Sequence, residues 1–395
     1  MMRGARATIA LGGLALALGA AGAAAGDEPQ RLRPDLDAIA TGTRAELVKS
    51  IAIRRRASSS RTVVISLRLP DLAGADRIKI AAEVTATNTC VEPGPRCIGR
   101  RYGYSPTIGA QLRLASRRSA AGRRGTIAVS ERRSLTCGQH RPDRNHHCPI
   151  VFAGPSTRIP GPGRLPCRRD ECRLNLVLDA HDRRARPGNR LVIGADRPDG
   201  SVAQDRGRLS AIVFRQGFET RALEREVDQP RRSHLSMVTG ALGNRQGGHE
   251  VVYSAPLPDL QRGTVISAEA WQRLGIGHLP YSAFVSTELI LASGRNRTSP
   301  DRVAKRAASF NGHLTETTGF NCTQGPSAFR TPCVSHRAGI VQLRRTPERD
   351  GRIAPLYVNL VSRTFPKRTS ARSGDRAKVL PGGSVRVVAY PRLAE

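Results

Sequence analysis

Aromatic side chains are scarce in this sequence, at 4% of residues, and Trp271 is the one tryptophan. Any core must therefore be filled mainly by Val, Leu, Ile and Ala, and the immunoglobulin pattern of Cys, Trp and Cys is absent. Lysine is rarer still, confined to Lys49, Lys79, Lys305, Lys367 and Lys378, although the chain carries a formal charge of +32. Past the N-terminus no stretch approaches the roughly 18 consecutive apolar residues of a transmembrane helix. No long amphipathic helical pattern occurs. A Gly-x-Ser-x-Gly elbow, a Gly-x-x-x-x-Gly-Lys loop and a His-Glu-x-x-His helix are also missing, which removes three common routes to hydrolase, nucleotide and zinc chemistry. No catalytic residue, metal or cofactor is expected from these motifs.

What is present begins with an export signal. Arg3 and Arg6 precede an Ala, Leu, Ile and Gly run from Ala7 to Ala21, and Ala23-Ala24-Ala25 offers a small-residue cleavage site. Residues 1–25 therefore read as a signal peptide, and the mature chain as secreted, extracellular or at the cell surface.

The chain then repeats itself. ASSSRTVVISLRLPDL from Ala57 to Leu72 aligns without a gap with RQGGHEVVYSAPLPDL from Arg245 to Leu260, at a constant offset of 188 residues. Val63, Val64, Ser66, Leu69, Pro70, Asp71 and Leu72 recur as Val251, Val252, Ser254, Leu257, Pro258, Asp259 and Leu260. Further runs agree: Leu112–Ala115 with Leu289–Ala292, Glu171–Leu178 with Pro355–Val361, and Arg186–Ile193 with Arg372–Val379. Short β-branched runs bounded by Gly, Pro, Asn and Asp predict strands. Leu47–Ile53 and Val63–Leu69 read as two strands joined by a turn, and Arg77–Thr85 as a strand with one buried face around Ile78, Ile80, Ala82 and Val84. The predicted fold is all-β, two tandem antiparallel β-sandwich domains related by the internal repeat. Its parts are a linker over 26–45, repeat 1 over 46–215, a linker over 216–232 and repeat 2 over 233–395.

Eight cysteines in an exported chain predict disulfides. Cys137 and Cys148 share their spacing with Cys322 and Cys333 at the matching place, so one loop-closing bond per repeat is expected, each worth ~3 kcal/mol. Cys90 with Cys97, and Cys167 with Cys172, would then pair locally. His140, His146 and His147 beside Cys137 and Cys148 supply zinc-ligand types. The second copy keeps the sulfurs and loses the histidines, which favours the disulfide.

Two other residue groups merit testing against a catalytic reading. Asp179, His181 and Asp182 flank the end of a strand, but the second copy has no histidine there, and a solvated strand end is the simpler reading. Asp71 and Asp259 follow a proline in ordinary turn chemistry.

Arginine in place of lysine, with abundant Ala, Gly and Pro, is what a GC-rich coding sequence produces. The charge is thus read as composition first, and as a field that attracts polyanions second. Two functions are consistent with this: a secreted or cell-surface non-enzymatic protein binding an anionic cell-envelope polymer, with no specific nucleic acid partner, and a secreted hydrolase or its accessory module acting on a glycan or peptide. The oligomeric state is not legible.

Overall fold

The computed structural model describes residues 40–41, 50–56, 61–69, 72, 75–90, 106–118, 121, 125–137, 146–168, 171–186, 188–193, 207–215, 222–236, 249–257, 259–276, 282–323, 333–366 and 376–390. The leader, Asp71 and His140 lie outside them. Among the described residues the protein is nearly all β, in antiparallel sheets.

The first half carries β1 (Ala40–Thr41), β2 (Ser50–Ala52), β3 (Thr62–Arg68), β4 (Ala75–Cys90), β5 (Thr107–Ala115) and β6 (Thr126–Ala128). It continues through β7 (Arg133–Thr136), β8 (His146–Phe152), β9 (Thr157–Arg158), β10 (Arg173–His181), β11 (Asn189–Ile193) and β12 (Gly207–Arg215). The second half carries β13 (Leu223–Val227), β14 (His234–Ser236), β15 (Glu250–Leu257), β16 (Val265–Ile276) and β17 (Ser282–Ala292), then helix α1 (Arg302–Ala307). It ends with β18 (Thr318–Thr323), β19 (Cys333–Gln342), the pair β20 (Glu348–Arg349) and β21 (Arg352–Ile353), β22 (Leu356–Pro366) and β23 (Arg376–Tyr390).

In the first half, β1, β12, β4, β11 and β2 form one sheet, with β8 and β9 also paired to β4; β3, β10, β5 and β6 form a second, with β7 paired to β5. In the second half, β13, β23, β16 and β19 form a third sheet with β14, and β15, β22, β17 and β18 a fourth. The same pairings occur in both halves. β10 lies between β3 and β5 as β22 lies between β15 and β17, and β4 lies between β12 and β8 as β16 lies between β23 and β19.

Each half has its own apolar core. Ile78, Ile80, Ala82, Val84 and Ala86 of β4 face Leu112, Leu114, Leu174 and Leu176 across the first sandwich, while Ile266, Ala268, Val358 and Leu360 belong to the second. Alternation along each strand places these residues on one face.

Three expectations change. Leu47–Ile53 and Val63–Leu69 do not form a hairpin: β2 pairs with β11 in the first sheet and β3 with β10 in the second, so the connection crosses the sandwich. Stretches read as linkers contain strands, since β1 pairs with β12 and β13 with β23. β4 is also buried on both faces, because Ala81, Glu83, Thr85 and Thr87 are covered as fully as the core side. The outer faces of the first and third sheets meet there. Ala81, Val151, Ile212 and Phe214 pack on Val265, Ala338, Ile340, Val388 and Tyr390, with the Phe214 and Tyr390 rings edge to face at 5.4 Å.

Candidate functional site: an arginine cleft and the junction between the halves

The end of β10 carries Asp179, His181 and, just beyond it, Asp182, and the structure gives these three residues different tasks. Asp179 is buried and accepts hydrogen bonds from Arg132 Nη2 at 2.7 and 2.9 Å, with Arg61 Nε 4.0 Å away. Gly109 sits opposite it in the register, and a Cβ there would stand 2.8 Å from the Asp179 carboxylate, so glycine makes room for the ion pair. Asp182 accepts the Arg184 N–H at 2.7 Å in turn fashion. His181 goes elsewhere.

It lines an open cleft of about 640 Å³ together with Arg55, Arg56 and Arg183. The cleft is built by main-chain pairing: Arg54 N–H donates to Ala180 O at 3.0 Å and Asp182 N–H to Arg54 O at 2.8 Å, so residues 54–56 run beside the β10 end. Arg55 Nε donates to Ala185 O at 3.0 Å, which fixes its stem. His181 Nδ1 is buried without a hydrogen-bond partner. Among the described lining residues no carboxylate occurs, so three guanidinium groups share one solvent-facing concavity, a geometry that concentrates anions.

A second arginine cleft, of about 490 Å³, is lined by Arg297, Arg302, Arg306 and Arg349 but also by Asp301, Glu348 and Asp350. Its charge is nearly compensated within the cleft. Asp301 caps α1, accepting from Ala304 N–H at 3.1 Å and Ser293 N–H at 3.0 Å.

At the junction of the halves, Glu83 of β4 pairs with Arg337 of β19, both almost wholly buried. Arg337 Nε donates to Thr287 Oγ1 at 2.5 Å, and Thr287 shares a 2.9 Å hydroxyl contact with Ser335. Three sheets meet at this one guanidinium. Burial pulls Arg337 below its ordinary value, while the charges of Glu83 and Glu288 raise it. Nearby, Arg208 donates to His313 O and to Glu316 at 3.0 Å, and lies 4.6 Å from the Phe310 ring.

The cysteines fall as follows. Cys137 is joined to Cys148, their Cα atoms 5.7 Å apart, which ties the end of β7 in one sheet to β8 in the other. Cys167 is joined to Cys172 at 5.2 Å. Cys333, at the start of β19, is also in a disulfide. Cys322 stands on β18 opposite Ala283 and Cys90 ends β4 opposite Asn189, but their side chains, like the whole of Cys97, lie outside the described residues. So do the side chains of His146 and His147. Asp259 is exposed.

Sequence reasoning named His181 but not Arg55, Arg56 or Arg183. The signal was the Arg54-Arg55-Arg56 run, which a generally arginine-rich chain conceals.

Neither a family model nor a curated protein matches the chain. Comparisons with solved structures find the T13 particle of infectious bursal disease virus (12% identity, 93% of this chain, 74% of that chain, TM-score 0.23). They also find PNGase F, a glycosylasparaginase from Flavobacterium meningosepticum (9%, 90%, 97%, 0.20), and the CBM22-1–CBM22-2 tandem of Paenibacillus barcinonensis Xyn10C (9%, 91%, 98%, 0.21). At TM-scores this low the likenesses carry no implication for activity.

Proposed function

We propose that this is a secreted or cell-surface, non-enzymatic protein of two repeated β-sandwich units that binds an anionic polymer of the cell envelope. The observation that carries the reading is the cleft of Arg55, Arg56, Arg183 and His181, where the positive charge has no lining carboxylate among the described residues. The matching strand pairings of the two halves support a duplicated scaffold. Disulfides support an oxidising compartment, and no helix among the described residues is long and apolar enough to cross a membrane. A hydrolytic role at the same strand end would draw on Asp179, and its carboxylate is already committed to Arg132 and Arg61.

The test compares polyanions matched for charge density, a teichoic-acid-like polymer, heparin and DNA, at physiological ionic strength. One polymer should bind markedly more tightly than the others, because shape and polar contacts add to a common electrostatic term. Replacing Arg55, Arg56 and Arg183 together by Ser should weaken that polymer at least tenfold. The same change at Arg302 and Arg306, in the charge-compensated cleft, should leave it bound. Equal retention of all three polymers would reduce the charge to a by-product of composition and overturn the reading.

A further inference from the structure

The outer face of the third sheet is only partly covered by the first. Beyond that cover, Trp271 of β16 is 41% exposed and Val334 of β19 is 47% exposed, two of the large apolar side chains left open to solvent among the described residues. They are neighbours. Trp271 stands opposite His336, and Arg273 opposite Val334, in a continuous antiparallel register, so all four share one face.

The indole is held rigidly. The His336 ring stacks against it with centroids 3.6 Å apart and planes inclined by 8°. His336 in turn donates Nε2–H to Glu269 Oε1 at 2.7 Å. Burial draws His336 below the ordinary imidazole value, against the raising effect of Glu269 and with the charges of Arg133 and Arg337 adding to the fall. Burial alone would raise Glu269, but the His336 hydrogen bond and the neighbouring charges of Lys79 and Arg133 outweigh it and hold the carboxyl below its ordinary value.

Two positive groups lie beside this plate. Arg273 donates Nη1 to Pro381 O at 2.9 Å and keeps its other N–H groups. Lys378 lies opposite Gly275 on the same face, and Ser384 lies opposite Trp271. Glu269, the carboxylate of β16 on this face, is taken by His336.

We propose that Trp271 is the stacking platform of a carbohydrate site that accepts an acidic sugar ring, with Arg273 and Lys378 meeting the ring's carboxylate. A pyranose presents aliphatic C–H groups on one face, which suit the electron-rich face of an indole, while its hydroxyls and acid point outward to polar neighbours. A pre-stacked indole loses little freedom on binding. A single-stranded nucleic acid would call for successive aromatic platforms for successive bases, and the described part of this face presents one. The inference rests on the anionic-polymer reading and narrows that polymer to one containing acidic sugars.

The sole tryptophan makes the test direct. Intrinsic fluorescence is followed while hexagalacturonate, a hexameric polyphosphate, a neutral hexasaccharide or a short single-stranded DNA is titrated into the intact protein at physiological ionic strength. Hexagalacturonate should give a saturable change in intensity and emission maximum, and polyphosphate none. Calorimetry on Trp271→Ala should show at least a tenfold loss of hexagalacturonate affinity, and Trp271→Phe a smaller loss; circular dichroism of both identifies a folding defect. Arg273→Ser with Lys378→Ser should weaken hexagalacturonate while leaving the neutral sugar unchanged. Unaltered hexagalacturonate binding by folded Trp271→Ala, no fluorescence response to it, or tighter binding of the DNA would each overturn the proposal. The polyphosphate arm, measured on the Arg55, Arg56 and Arg183 replacement, reports separately on the arginine cleft, so the two failures are distinguishable.

Discussion

At the scale of single residues, the two halves share a hydrogen-bonded pair whose purpose is structural. Ser66 Oγ donates to Asn175 Oδ1 at 2.6 Å, and Ser254 Oγ to Asn359 Oδ1 at 2.7 Å. Asn175 Nδ2 then reaches Arg117 O, and Asn359 Nδ2 reaches Gly294 O and Arg297 O, so each asparagine ties a strand pair to the loop after the next strand. The recurrence of Ser66 as Ser254 was visible in the sequence. Its partner was not, because it lies more than a hundred positions away. Glu83 was less legible still: alternation marked the odd residues of β4 as the open face, and what covers them is encoded in the other half of the chain. Removing one member of a buried ion pair strands the other's charge, so Glu83→Leu or Arg337→Met should each cost about 3–5 kcal/mol. The double replacement by Leu and Met should cost less than either single change predicts. Urea unfolding of the four proteins measures this, and additive single costs would mean the pair is not coupled.

At the scale of elements, strand positions were legible wherever β-branched runs sat between turn residues, and the connections between them were not. In the second half, turn residues cluster at Pro381-Gly382-Gly383, a composition that by itself predicts the end of a strand. β23 instead continues through them, because a register shift opposite Trp271 and Arg273 absorbs the irregular stretch and Gly382 takes φ 84°. Gly383 is held by its neighbours, since a Cβ would stand 2.4 Å from Tyr253 Oη. Helix α1 went unread although Asp301 supplies an N-cap signal, because its six residues are too few for a hydrophobic period. The Cys137–Cys148 bond joins two elements of different sheets across 11 positions. Replacing both cysteines by Ser should lower stability by about 3 kcal/mol. Thermal unfolding of the variant against the parent decides it, and an unchanged midpoint would show the bond to be a local tether only.

At the scale of the whole molecule, the halves are not beads on a string. An apolar patch, the Phe214–Tyr390 contact and the buried Glu83–Arg337 pair all lie between them. Relative motion of domains is the default only where the shared interface is small or wet. A protease site placed within residues 216–221 and cleaved should therefore leave two fragments that still migrate together in gel filtration under native conditions and part in urea. Separate elution without denaturant would show that the junction contributes little. The matching runs of the two halves could be seen in one dimension, but the docking of one half on the other could not, since matching runs say nothing about which faces meet.

The position of β23 also sets an order in time. It is the latest strand of the described chain, yet it lies in the interior of the third sheet, between β16 on one side and β13 and β14 on the other. As the polypeptide is made, Ile266, Ala268 and Ala270 of β16 must wait unpaired on that side until residues 376–390 emerge. Val388 and Tyr390, which complete the patch between the halves, arrive in the same stretch. The first half can close early, whereas the second half and the docking of the two become possible only once residues 376–390 have been made. A chain interrupted before that point leaves an apolar strand edge open, the state most exposed to aggregation.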